Sequence, residues 1–218
     1  MNTEEKIEGY TDIGATTREA MEISRKSRRL ISDMIGDETL EDRIRQRCVI
    51  ATGDPSVAGI LRFLHQPVEA GLRALEEGAP IFVDIKMVEA GVVKKGHISS
   101  IEAFIGRGDS LAEKRGITRT SAGVLALREK LEGSIIVVGN APSALLTICD
   151  LVEAGSASPR LVIGVPVGFV NAAESKERLR ELRVPSISTV GTRGGTPIAV
   201  AAVNEIINIH ARTCGGLH

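Results

Sequence analysis

The chain is poor in aromatic rings and has no dominant charge. Its 218 residues include no tryptophan, one tyrosine and four phenylalanines. A core of the size this length allows must therefore be built from Ile, Val, Leu and Ala. The ring platforms on which nucleic-acid bases stack are missing. The formal net charge is −1, so no overall field gathers polyanions, and a nucleic-acid partner is not expected. Cysteine is scarce: Cys48, Cys149 and Cys214 are odd in number and far apart. Without a CxxC pair or Cys/His ligand spacing they read as reduced thiols of a cytoplasmic protein with no metal site. No apolar run approaches the length of a membrane span, and the acidic opening MNTEEKIEGY is unlike a signal peptide. Nucleotide signatures are also missing. GRGDSL at 106–111 lacks the third glycine of GxGxxG, and no GxxxxGK[ST] occurs. No GxSxG elbow or Ser-His-Asp order supports a hydrolase.

What is present is alternation. Residues 16–35 carry Ala20, Ile23, Leu30, Ile31 and Met34 at roughly helical spacing. A second helix starts near Glu38 with the stripe Leu40, Ile44, Cys48 and Ala51. Its apolar end, Cys48-Val49-Ile50, is expected to be buried on several sides before Gly53 stops it. From residue 66 onward, β-branched runs at 81–84, 98–105, 135–138, 161–165 and 187–190 alternate with helical segments at 66–77, 110–131, 143–154, 172–182 and 197–209. Strand runs this short, separated by helices, predict a parallel sheet covered on both faces. The expectation is a single domain over 1–218, helical over about 16–64 and parallel α/β over about 66–210.

Ligands of open parallel sheets bind beyond the carboxyl ends of the strands. The segments there are DIKMV (84–88), GRGDS (106–110), GNAPSAL (139–145), PVGFVNAAESK (166–176) and GTRGGTP (191–197). Several open into helices, with Asn140 able to cap and Pro142 and Pro197 placed for a first turn. Helix N-termini of this kind favour carboxylates or phosphates. Acid–base candidates are few: His65 and His97 are internal, and His210 and His218 lie in the tail. Cys48 has no obvious thiolate-stabilising neighbour and reads as core.

The ordered motifs IIVVGNAPSALLTICDL, PRLVIGVPVGFVNAAESKERL and GTRGGTPIAVAAVNEII, with TRTSAG and EAGLRALEEGAPIFVDIKMVEAGV upstream, closely resemble the precorrin-8X methylmutase (cobalt-precorrin-8 methylmutase) family of cobalamin biosynthesis. The resemblance implies a three-layer α/β fold with a flavodoxin-like parallel sheet and helices on both faces. It implies a homodimer with the corrinoid held near the subunit interface. The implied reaction is an isomerisation in which a methyl group moves from C-11 to C-12 of a precorrin-8 or cobalt-precorrin-8 macrocycle. No cofactor is implied, and cobalt enters only as part of the substrate. Substrate-binding positions carried over are Ser27, Lys86, Arg119, Asn140, Ser143, Gly168 and Arg193, with Ser175 in the same long motif.

One position departs from the family pattern. RCVIATGD at 47–54 resembles the family's IHATGD, and Ile50 stands where that pattern has the histidine proposed as general acid. Isoleucine cannot donate a proton. Three readings follow: a mutase whose proton comes from elsewhere (His65, water, or electrostatic stabilisation alone), a non-catalytic corrinoid carrier or regulator, or a pocket turned to another substrate.

Overall fold

A computed structural model describes Ala15 and residues 17–214; the acidic N-terminal stretch, His218 and the Cys214 side chain lie outside the described residues. Helices α1 (Arg18–Ile35), α2 (Leu40–Thr52) and the single turn α3 (Val57–Ile60) precede strand β1 (Leu61–Leu64) and helix α4 (Pro67–Glu76). Then come β2 (Ile81–Val83), α5 (Lys86–Gly91), β3 (Ile101–Ala103), α6 (Asp109–Arg115), α7 (Arg119–Ala126) and a 3₁₀ turn at Arg128–Lys130. The chain finishes with β4 (Ile135–Val138), α8 (Pro142–Glu153), β5 (Leu161–Gly164), α9 (Ala172–Glu181), β6 (Ser186–Thr189) and α10 (Thr196–Cys214).

The sheet runs β1-β6-β5-β4-β2-β3. Strands β2 to β6 are mutually parallel and follow the flavodoxin-like order, with its topological switch between β2 and β4. Side-chain alternation divides the core. Ile81, Val83, Ile135, Val137, Leu161 and Ile163 face one helical layer, while Phe82, Ile136, Val138 and Val162 face the other. The result is three layers.

The three-layer α/β expectation holds, with one addition at the sheet edge. The stretch up to residue 64 is not wholly helical, and the sheet is not wholly parallel: β1 pairs antiparallel with β6, Leu61 opposite Thr189 and Leu64 opposite Ser186. LRFL is a four-residue edge strand, buried at Leu61 and exposed at Arg62. That is one period of alternation, too short to register as a strand pattern.

Most apolar positions of α1 do not face inward. Its apolar positions Ile23, Leu30 and Met34 are 59%, 59% and 64% exposed, whereas Arg28 and Ser32 are buried. The inward face is set by charge. Arg28 donates to Glu205 Oε2 at 2.8 Å, to Gln46 Oε1 at 3.1 Å and to the Arg43 carbonyl at 3.0 Å. Ile31 and Ile35 add the apolar contact with the core.

Candidate functional site

The carboxyl ends of the parallel strands place the candidate loops in a fixed order. The loop carrying Arg193 leaves β6, that carrying Val167–Val170 leaves β5, the turn carrying Asn140 and Ser143 leaves β4, and Lys86 follows β2. At the β6 end a cleft of about 230 Å³ is lined by Ser27 and Leu30 of α1, Val49 and Ile50 of α2, and Gly53 and Pro55 beyond it. Two positions far apart in sequence, Ser27 and Ile50, therefore share one wall. Gly53 closes α2 in the left-handed region, its N–H bonded to the Val49 carbonyl at 2.8 Å.

Beyond that cap, Asp54 receives hydrogen bonds from Ser56 N at 2.9 Å and Ser56 Oγ at 2.7 Å. Arg193 pairs with Asp54 and donates to Ser56 Oγ at 2.9 Å. The Ser56 hydrogen bonds, and then Arg193, hold the Asp54 carboxyl below the usual carboxylate range. The loop behind Arg193 is anchored from below. The fully buried Lys176 donates to the Arg193 carbonyl at 2.7 Å and to Thr189 Oγ1 at 3.1 Å. Burial, followed by the neighbouring Arg180 charge, brings its ammonium pKa down to about 8. Gly194 has no alternative here, because a Cβ would stand 2.2 Å from the Val165 carbonyl oxygen. Gly168 donates its N–H to the Thr192 carbonyl at 3.1 Å, which ties the β5 loop to the Arg193 loop.

At the switch point the cap is not the one expected. The Asn140 side chain is exposed and makes no cap. Instead the Asp84 carboxylate accepts from Asn140 N at 2.6 Å and Ala141 N at 2.8 Å, at the start of α8. Asp84 is fully buried, and its Oδ1 has no hydrogen-bond partner. Burial raises its pKa, opposed by the backbone N–H groups around it.

Arg119 and Ser143 are brought together through Thr118, whose Oγ1 lies 2.8 Å from Ser143 Oγ. Arg119 forms a two-pronged pair with Asp109, at 3.0 and 2.7 Å, which lowers the Asp109 pKa. Lys86 is exposed and paired with Glu89 at 2.7 Å. Each basic residue singled out in the sequence thus already holds a carboxylate. The acidic partners Asp54, Asp109 and Glu89 were not foreseen, and neither were Asp84 as a cap or Lys176 as an anchor. An aspartate directly after a buried strand was the one available signal for Asp84. Ser175 is buried and donates to the Ala172 carbonyl at 3.1 Å within α9, so it faces no ligand.

The described histidines lie at the opposite edge. His65 follows the end of β1 that pairs with Ser186, where the parallel strands begin. His97 precedes β3, bonded to the Val93 carbonyl at 2.8 Å and Ser99 N at 3.1 Å. His210 lies against the Gly96 carbonyl at 3.0 Å. His65 is therefore not brought to the Ile50 cleft. Cys48, behind Ile50, is fully buried, and burial pushes its thiol up to about 12. The edge thus offers guanidinium groups, an ammonium and helix N-termini facing anionic groups, beside an apolar wall.

Residues 22–209 match the family model described as Precorrin-8X methylmutase. The cobalt-precorrin-8 methylmutase of Methanocaldococcus jannaschii is 42% identical over 207 residues, covering 89% of this chain and 96% of that protein. The precorrin-8X methylmutase of Pseudomonas aeruginosa is 39% identical over 171 residues, covering 76% and 82%. The crystal structure of precorrin-8x methyl mutase from Thermus thermophilus superposes with a TM-score of 0.81 at 35% identity, covering 90% of this chain and 98% of that one. With the family model matched over residues 22–209 and relatives of this identity covering most of its length, the chain belongs to the precorrin-8X methylmutase family.

Proposed function

We propose that this protein is a corrin-biosynthetic isomerase acting on a precorrin-8 or cobalt-precorrin-8 macrocycle in the cytoplasm. The methyl carbon leaves C-11 and bonds to C-12 within one molecule. That step is redox-neutral, so it calls for no resident metal or redox cofactor, and any cobalt belongs to the substrate. The family match over 22–209 carries the reading. The arrangement of Ser27, Lys86, Arg119, Asn140, Ser143, Gly168 and Arg193 along one sheet edge supports it. The acetate and propionate carboxylates of the macrocycle suit Arg119, Arg193 and Lys86, and they would compete with Asp109, Asp54 and Glu89 for those cations. A homodimer accords with the exposed α1 face of Ile23, Leu30 and Met34, which no element among the described residues covers.

Charge that develops on the ring during migration falls to the guanidinium groups and helix N-termini, with water as the proton source, because Ile50 has no proton to give. Ile50 in the cleft wall also favours a second reading, a corrinoid carrier without turnover. A single-turnover experiment separates the two. Protein in excess is mixed with metal-free and cobalt forms of precorrin-8, and the visible spectrum is followed. Conversion by the natural chain is the expected outcome, and Ile50→His should accelerate it. Binding without conversion, with Ile50→His restoring the product chromophore, would establish the carrier. A spectrum perturbed by neither protein would remove the corrinoid reading.

A further inference from the structure

Three of the four phenylalanines are accounted for within the fold. Phe82 and Phe104 are buried and stack with centroids 5.6 Å apart, and Phe63 lies under the Arg45 guanidinium at 4.5 Å. Phe169 is 93% exposed, and Val170 beside it is 76% exposed. Leaving a phenylalanine and a valine in water forgoes the stabilisation their burial would bring. Apolar tips are common on loops, but this loop is firmly held. Its Gly168 N–H binds the Thr192 carbonyl, and its Val165 carbonyl accepts from Gly195 N at 2.7 Å. The base is fixed while the apolar side chains stand clear.

Its place in the sheet gives the exposure a direction. The loop leaves β5, which has β6 and β4 as neighbours, with β2 beyond β4. Arg193 lies on the β6 side; Ser143 with neighbouring Arg119, and then Lys86, lie on the β4 and β2 side. With strands about 4.8 Å apart, the reach from β6 to β2 is on the order of 14 Å. An apolar patch about the middle of that reach, with cations on both flanks, complements a broad, flat ligand that is apolar in the middle and carboxylated around its rim.

We propose that Phe169 and Val170 form a plate for the ring face of the tetrapyrrole, and so select a macrocycle over smaller polycarboxylates. This rests on the corrinoid reading above, and it assigns to the apolar tip of the β5 loop a binding role separate from that of the cations. The flanking Arg193–Asp54, Arg119–Asp109 and Lys86–Glu89 pairs can exchange their carboxylates for those on the rim of such a ligand, which favours it over a second copy of the chain presenting the same paired surface.

Calorimetric titration of the full chain with cobyrinic acid, a cobalt corrin with free carboxylates, and separately with citrate tests the assignment. Phe169→Ser should weaken cobyrinic acid binding at least tenfold, leave citrate binding unchanged and leave the melting temperature unchanged. Phe169→Trp should retain the affinity. Wild-type affinity for cobyrinic acid in Phe169→Ser would overturn the plate while leaving the corrinoid reading intact. Failure of the natural chain itself to bind cobyrinic acid would overturn both. A change in sedimentation behaviour with Phe169→Ser would make the loop a contact between copies and also overturn the proposal.

Discussion

Helices α1 and α10 lie against the same helix, α2, yet they are held in opposite ways. Helix α10 is buried continuously from Ala201 to Ile209. Ile198, Val203, Ile206 and Ile207 belong to the main core, and Asn204 ties down α5 by accepting from Val93 N and donating to the Gly91 carbonyl, both at 2.9 Å. Helix α1 turns Ile23, Leu30 and Met34 to water and inserts Arg28 instead. The two meet at Glu205, a fully buried carboxylate on α10 that Arg28 contacts at 2.8 Å and Arg43 at 3.5 Å. A helix seated by packing loses stability gradually as methyl groups are removed. One seated by a buried charge fails abruptly when the counter-charge goes. Because α1 carries Ser27 to the Ile50 cleft, this difference reaches the site.

The largest effect should come from breaking that contact. Glu205→Ala leaves Arg28 buried without its carboxylate, which is expected to cost about 3–5 kcal/mol, read as a lower urea midpoint. Amide exchange in α1 should rise well before exchange in α10. Ile206→Ala, which removes packing from α10 alone, should cost about 2–5 kcal/mol and leave the α1 amides protected relative to global unfolding. Equal loss of α1 protection in both variants would dissolve the distinction between the helices.

A buried cation without a carboxylate sharpens the same comparison. Lys176 is as deeply buried as Arg28, but among the described residues it is held by the Arg193 carbonyl and Thr189 Oγ1 rather than by a carboxylate. Its pKa is about 8 in the folded chain against 10.5 ordinarily. Between these values the unfolded chain binds more protons than the folded one, so this group makes stability rise with pH. Below about pH 8 both states carry the proton, and the burial cost is felt in full. Natural chain minus Lys176→Met stability should therefore increase by on the order of 2 kcal/mol between about pH 7 and pH 9.5. A flat difference in urea unfolding across that range would show that the ammonium is not desolvated.

The same contrast explains what could be read in advance. Strands β4 and β5 were legible because IIVV and LVIG are apolar on both faces, the pattern a central parallel strand requires. Helix α8 was legible through Pro142. Helix α1 was legible as a helix, but its inward face was not, because periodicity reports where apolar residues lie, not whether a partner exists to cover them. Arg28 could be recognised as its inward residue only by knowing that Glu205, 177 positions away, faces it. Cap assignment failed at Asn140 for a similar reason: the sequence supplies a local candidate, whereas the fold brings Asp84 from a neighbouring strand. Motif resemblance singled out Arg119 and Arg193, but their paired acids Asp109 and Asp54 emerge only from geometry.

That pairing leads to the smallest expected change in stability and a distinct change in binding. Arg119 and Asp109 are both solvent-exposed at the edge, and exposed pairs contribute little to folding. Asp109→Asn should thus leave the melting temperature unchanged, unlike either change on α10. The guanidinium, however, loses the carboxylate that fixes its two-pronged orientation and that competes with incoming carboxylates. If competition dominates, cobyrinic acid binds Asp109→Asn more tightly than the natural chain, and the gain shrinks with added salt as screening grows. If orientation dominates, binding weakens and Arg119→Ala gives no further loss. Unchanged affinity in Asp109→Asn together with unchanged affinity in Arg119→Ala would remove Arg119 from the ligand-binding edge. Competition is the expected outcome, because Asp109 occupies the guanidinium face that a substrate carboxylate needs.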